Sequence, residues 1–217
     1  MSRGPKPSDF WDDRETSPAD ISRGAANRGR VLKELIGHAL SARPLDATLV
    51  ARWHKGCLSG LSYVIDETLL GAYRGGDHLL LTHMGVRVGG IEGVSPYDVG
   101  EELADFFEQL QRRMYHLAAR IALDQDKSQA EVREIAAVAG WAHGEWTRIH
   151  PFANGNGRTA RLIANWVLSR FRLLPVVRIR PRPDSPYGGA AAASMRGDHR
   201  KITAFIVDLL EDAGRGQ

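Results

Sequence analysis

The chain has a single cysteine, Cys57, among 217 residues, so neither an internal disulfide nor a cysteine-built zinc site is available. It also lacks any run approaching the roughly 20 apolar residues that a membrane-crossing helix needs. Residues 1–22 mix aspartate and proline without the apolar core of a signal peptide or anchor. These absences point to the reducing cytoplasm and to no membrane partner. An excess of one charge is missing too, since 29 basic and 26 acidic residues leave a net +3. That balance gives little support to nucleic-acid binding and only a slight lean towards phosphate-rich ligands. The remaining composition, 43% hydrophobic and 25% charged, is ordinary for one globular domain with an extension. There is no internal repeat.

Residues 1–22, with Pro5, Pro7 and Pro18, read as a flexible arm, with order beginning near Ile21. Residues 23–70 hold apolar positions at helical spacing, which predicts two helices over 31–40 and 45–69 with a turn at Pro44. In 71–96 six glycines, from Gly75 to Gly93, punctuate short apolar stretches, a pattern that suits a β-hairpin or extended flap over 78–96. Val99, Leu103, Phe106, Phe107, Leu110, Met114 and Leu117 then mark one face of a helix. Ser128 and Glu131 form a capping box for the next, whose stripe runs through Val132, Ile135, Ala136, Ala139 and Trp146. Trp141 and Trp146 are expected in the core. A polar loop at 150–157 separates that helix from an amphipathic one over 158–171. Residues 178–186, alternating Arg and Pro, are expected to be extended and solvated, with helices over 190–195 and 201–210 to follow. The folded core is placed at 71–212, with 213–217 as a tail.

The segment His150-Pro151-Phe152-Ala153-Asn154-Gly155-Asn156-Gly157-Arg158-Thr159-Ala160-Arg161 carries the chemistry. Gly155 and Gly157 let the backbone approach a ligand closely, and the following helix offers N–H groups where its dipole favours anions. Arg158 and Arg161, three apart, share a helix face where two guanidinium forks could grip phosphate oxygens. His150, just ahead of this cradle, has the pKa range of a proton acceptor near neutral pH. The substring from Gly155 to Ala160 also fits the dinucleotide fingerprint, but that motif requires a preceding strand and here a helix precedes it. His78 and His83 lack the spacing and companions of a metal site.

These residues resemble the Fic family, whose signature is His-Pro-Phe-x-Asp/Glu-Gly-Asn-Gly-Arg-x-x-Arg, and eleven of its twelve positions are compatible here. The resemblance extends over about 46–210 and implies an all-α Fic-type helical bundle with a β-hairpin flap beside the active-site loop. It implies a protein adenylyltransferase, with ATP as co-substrate and a protein Ser, Thr or Tyr hydroxyl as acceptor. His150 would take the hydroxyl proton and Phe152 would anchor the loop. Gly155, Asn156, Gly157, Arg158 and Arg161 would hold the phosphates. The flap residues Val86, Arg87, Val88 and Gly89 would align the target segment by strand addition, and Tyr187 would lie near the adenine.

One position departs from the family. Asn154 stands where a carboxylate usually holds Mg²⁺, and an amide carbonyl offers oxygen without charge, so Mg²⁺ should bind weakly through residue 154. Two alternatives therefore stand beside adenylyl transfer: a Fic-fold nucleotide-binding module with weak or no transfer, and transfer of another phosphate-containing group. Many relatives carry a Ser/Thr-x-x-x-Glu-Gly/Asn inhibitory helix. Here Ala26 occupies the glutamate position after Ser22, so no self-inhibition is expected through this segment, and a brake would come from an inhibitory partner protein.

Overall fold

The computed structural model describes residues 17–88 and 90–215. Most of the expected arm, and Gly89 of the flap, lie outside them. Among the described residues there are seven α-helices and one two-stranded antiparallel hairpin.

Helix α1 (Pro18–Leu40) starts earlier than the sequence suggested. Ser17 caps it by accepting from the Asp20 N–H at 3.0 Å, and proline occupies its first turn, where no N–H is needed. Its buried face runs Asp20, Gly24, Asn27, Val31, Leu35, Ala39. The first half of that face is polar and is tied down by hydrogen bonds: Asp20 accepts from the Ser62 N–H at 2.8 Å, and Asn27 donates to the Ser59 carbonyl at 2.9 Å. Hydrophobic periodicity registers only the apolar half, which is why the expected helix began at 31.

Helix α2 (Ala47–Leu58) is capped by Asp46 and buries Leu49, Val50, Trp53, His54, Cys57 and Leu58. It stops well before residue 69, because Gly60 adopts φ 70°, a left-handed conformation that ends a helix. Leu61, Val64, Leu69 and Leu70 still enter the core, but from turns and the short 3-10 helix Glu67–Leu69. The expected flap is likewise mostly turn. Leu81 and Met84 are buried, and only β1 (Arg87–Val88) and β2 (Ile91–Glu92) pair, with Arg87 opposite Glu92 and Val88 opposite Ile91.

Helix α3 (Val99–Ala118) buries the seven positions read from its periodicity. The capping box at Ser128 and Glu131 is present, and it opens α4 (Gln129–Ile149). This helix is buried over much of its circumference because α3, α5, α6 and α7 all pack on it. Helix α5 (Asn156–Arg170) lies against α4, with α1 and α2 on its other side. Helices α6 (Tyr187–Ser194) and α7 (Arg200–Arg215) complete the bundle, α7 burying Ile202, Phe205 and Ile206. No described helix is long and apolar enough to cross a membrane.

Two glycines of α4 set how closely α7 approaches. A Cβ on Gly140 would lie 2.2 Å from the Thr203 hydroxyl and 2.6 Å from the Thr203 Cα, while one on Gly144 would lie 2.3 Å from His199 Nδ1. Gly140→Ala should therefore lower stability by ~1–3 kcal/mol through forced separation of the two helices. Gly37→Ala on α1, where a Cβ meets nothing within 4 Å, should be neutral or stabilising by ~0.5–1 kcal/mol. Urea midpoints of the two variants measure the contrast.

Candidate active site

The loop at 150–155 joins the two central helices, and its shape is imposed from several directions. Helix α4 ends at His150, which adopts the left-handed conformation (φ 53°, ψ 54°), uncommon for a residue with a side chain. The terminal carbonyls of α4 have no helical donors, and Arg74 supplies them. Its guanidinium, in a side chain only 1% exposed, donates to the carbonyls of His150 (2.8 Å), Ile149 (3.1 Å), Met84 (2.9 Å) and Val94 (3.0 Å). Its backbone N–H donates to the Pro151 carbonyl at 2.8 Å. One cation thus joins the base of the flap to the negative end of the α4 dipole. Burial lowers its pKa to about 10, which leaves it charged at neutral pH.

Phe152 is fully buried, stacked between His54 (centroids 3.9 Å) and Tyr73 (4.6 Å). The Gly71 N–H donates to His54 Nδ1 at 3.0 Å, so the His54 proton resides on Nε2, which donates to the Asn154 carbonyl at 2.9 Å. Burial depresses the His54 pKa to about 4, which keeps the ring neutral. Gly155 has two reasons to be glycine: its φ is 79°, and a Cβ would lie 2.7 Å from His54 Nε2. His54 was not legible as a site residue, since a lone histidine in an apolar helix carries no signal of what it will face.

The side chain of Asn156 faces inward. Its Oδ1 accepts from the Phe152 N–H and its Nδ2 donates to the Phe152 carbonyl, both at 2.8 Å, closing the loop on itself. Only its backbone is left to serve an anion. The hydrogen-bond ladder of α5 begins where Thr159 N–H donates to the Gly155 carbonyl (3.0 Å), so the N–H groups of Asn156 and Gly157, in the first turn, have no partner within the helix.

A cleft of about 270 Å³ opens above this turn. It gathers His150, Asn154, Gly155, Asn156, Gly157, Arg158, Arg161 and Tyr187, with Val88 at the hairpin side. Phe152 lies beneath it in the core, Val86 is buried, and Arg87 is exposed and pairs with Glu92 across the hairpin. Arg161, on the helix face shared with Arg158, is only 4% exposed, with Nε and one terminal nitrogen donating to the Ile179 carbonyl (3.2 and 2.8 Å). Its other terminal nitrogen donates to the Tyr187 hydroxyl at 2.7 Å. Tyr187 is itself buried, in contact with Phe205 and within hydrogen-bonding distance of His143 Nε2 (3.0 Å), so it positions Arg161. Arg158 packs over the Tyr63 ring at 5.9 Å.

The segment read as a solvated strip divides in two. Arg178 turns back on its own loop, to the Pro181 and Arg182 carbonyls and to Asp184, whereas Arg180 and Arg182 line the cleft. Outside the cleft, His78 meets the Thr68 hydroxyl (2.9 Å) and His83 the Tyr97 hydroxyl (3.0 Å). Among the described residues no group of three or more His, Cys, Asp or Glu is arranged to hold a metal.

His150 Nδ1 lies 3.1 Å from the Thr147 carbonyl. A carbonyl only accepts, so Nδ1 carries the proton and Nε2 keeps its lone pair for the cleft. Burial lowers the His150 pKa to about 4; the bond to Thr147 opposes this and the charge on Arg74 reinforces it. The ring is therefore in its proton-accepting form at neutral pH.

Residues 44–168 match the model of the Fic/DOC family. Among curated proteins, the chain is 38% identical over 86 residues to the protein adenylyltransferase Fic of Aedes aegypti, a match that covers 40% of this chain and 17% of that protein. The shared part is thus about a sixth of the relative's length. Among solved structures, Fic-1 from C. elegans covers 93% of this chain, which spans 52% of that one, with a TM-score of 0.63 and 20% identity. The BepC protein of Bartonella tribocorum, solved with bound AMPPNP, covers 93% of this chain, which spans 96% of that one, with a TM-score of 0.58 and 15% identity. At these identities the structures show a common fold.

Two predictions follow from this wiring. Arg74→Met should cost ~3–5 kcal/mol, because four buried carbonyls lose their donor, and Arg74→Lys should recover only part of it, since an ammonium cannot reproduce the planar fork. Thermal melting of both variants gives the order. Stability should also fall with acid, because the folded pKa values of His54 (about 4) and His143 (about 3) lie below the unfolded value of 6.5. The unfolded chain therefore binds more protons below pH 6.5, and each histidine should remove ~1.4 kcal/mol per pH unit as the pH drops from there. Urea titrations between pH 6.5 and 5, above the range where carboxylates contribute, measure the slope. A flat profile would contradict the neutral buried rings.

Proposed function

Because the chain belongs to the Fic/DOC family, we propose that it is a protein adenylyltransferase, moving AMP from ATP to a Ser, Thr or Tyr hydroxyl of a target protein. The observation that carries this reading is the tautomer of His150, whose Nε2 is a free proton acceptor in a cleft floored by the first turn of α5 and walled by arginines. ATP as the donor is supported by the name of the Aedes relative and by the AMPPNP bound to BepC.

In the proposed reaction the target hydroxyl gives its proton to His150 Nε2 while its oxygen forms a bond to the α-phosphorus. The bond from that phosphorus to the bridging oxygen breaks, and pyrophosphate leaves with the electron pair. The backbone of Gly155, Asn156 and Gly157 would face the α- and β-phosphates, as helix N-termini commonly do. Arg158 and Arg161 would offset charge towards the leaving group. Arg161 is already held by Ile179 and Tyr187, so little orientational freedom is lost when the donor binds. Strand addition of the target to the hairpin is favoured by the place of Val88 on the cleft wall, which would bring an added segment to His150.

Asn154 favours a second reading, transfer of another phosphate-containing group or nucleotide binding with weak transfer. Its Oδ1 already accepts from the Gly155 N–H at 2.5 Å and its carbonyl from His54, and among the described residues no carboxylate lines the cleft. This donor set does not fit Mg²⁺, a hard cation that depends on anionic oxygen ligands. Intact-mass spectrometry after incubation with ATP and a lysate separates the readings: a gain of one AMP supports adenylyl transfer, and nucleotide binding without any gain supports the second.

His150→Ala should reduce transfer by ~10²–10⁴-fold with folding and ATP affinity nearly unchanged, since a general base makes no phosphate contact. The pH profile of kcat/KM reports the free enzyme. With its pKa near 4, His150 is in the basic form throughout neutral pH, so no loss should appear between pH 8 and 6. An inflection near 6.5 that vanishes in the His150→Ala background would overturn the assignment of a buried neutral base.

A further inference from the structure

Among the described residues the cleft is lined by four arginines and no acid. Arg158 and Arg161 come from α5, and Arg180 and Arg182 from the segment between α5 and α6. Arg180 lines the cleft, and Arg182 is placed there by packing as well. Arg182 lies over the Tyr187 ring at 5.5 Å, beside Gly188, where a Cβ would approach its guanidinium to 3.3 Å. Burial lowers the pKa of Arg161, and the nearby charges on Arg158 and Arg182 add to this, so like charges stand close together in the cleft. Such an arrangement favours a ligand with several negative charges. At the position where the family places the carboxylate for its metal, this chain has an amide whose oxygen is already in use.

Arginine and Mg²⁺ compete for the same phosphate oxygens, and a bound metal would face a wall of like charge. We propose that the cleft binds its triphosphate donor without a divalent cation, and that Arg180 and Arg182 supply the charge compensation that the metal would otherwise provide. This rests on reading the cleft as a nucleotide-transfer site. The atoms balance as in the reaction above: the hydroxyl proton goes to His150 and pyrophosphate departs, its developing charge met by guanidinium groups. Because Mg²⁺ removes charge from ATP, the site should hold the metal-free tetraanion at least as tightly as the magnesium complex.

Isothermal titration of the full chain with ATP and with AMP, each in excess EDTA and in excess Mg²⁺, tests this, with circular dichroism checking the fold of every variant. ATP should bind at least as tightly in EDTA, and AMP transfer should persist there. Arg180→Ala and Arg182→Ala should each weaken ATP by about tenfold and AMP by less than about threefold, since the lost contacts are to the outer phosphates. Asn154→Asp should reverse the order, making ATP bind more tightly with Mg²⁺ than in EDTA. The inference is overturned if the wild-type protein binds ATP about tenfold more tightly with Mg²⁺. It is also overturned if neither arginine variant alters ATP affinity. Either result leaves the nucleotide reading intact, whereas a folded protein that binds no nucleotide in either condition overturns both.

Discussion

The buried guanidinium of Arg74 joins parts of the chain that have no covalent reason to meet: the turn around Met84, the strand exit at Val94, and the C-terminal carbonyls of α4 at Ile149 and His150. A charge taken out of water is costly unless its donors are matched, and here they are matched by carbonyls alone. The arrangement is therefore all or nothing. It fixes the left-handed turn at His150, and that turn aims the imidazole. The same contacts hold the hairpin beside the imidazole, so the proposed acceptor side of the cleft and its proposed base are both set by one residue.

The donor side is built on a different principle. The loop from Phe152 to Asn156 closes through the Asn156 amide, Phe152 is clamped between two rings, and His54 ties the Asn154 carbonyl to the Gly71 backbone. These polar groups are satisfied within the loop and its neighbours, which leaves the first-turn N–H groups of α5 without helical partners. Arg161 is held in turn by Tyr187, which His143 buttresses from α4. Rigid placement of like charges costs energy in the empty protein, and in the proposed reaction a polyanionic donor would recover it, so that binding and charge stabilisation would draw on the same prearranged groups.

Legibility followed the physics of each signal. The face of α3 and the capping box of α4 were read correctly because apolar periodicity and local capping are properties of neighbouring residues. The first half of α1 was missed because its buried face is Asp20, Gly24 and Asn27, satisfied by a loop some 30–40 residues away in sequence. The second helix is shorter than its apolar spacing predicts, because Leu61, Val64 and Leu69 have core burial without α-helical geometry. The burial of Arg161 is not legible locally, since nothing beside it announces that Ile179 and Tyr187 will enclose it.

The sequence by itself determined the reacting segment: His150 ahead of a glycine-rich turn, two arginines three apart, and an amide in place of a carboxylate. All of that is encoded in residue type and short spacing. Only the tertiary structure decided which nitrogen of His150 faces the cleft, that Asn156 closes the loop with its side chain, and that Arg180 and Arg182 belong to the cleft while Arg178 does not. Those outcomes depend on carbonyls and rings brought together from distant parts of the chain. A hydrogen bond's partner, unlike a helix's period, is not written in the residues beside it.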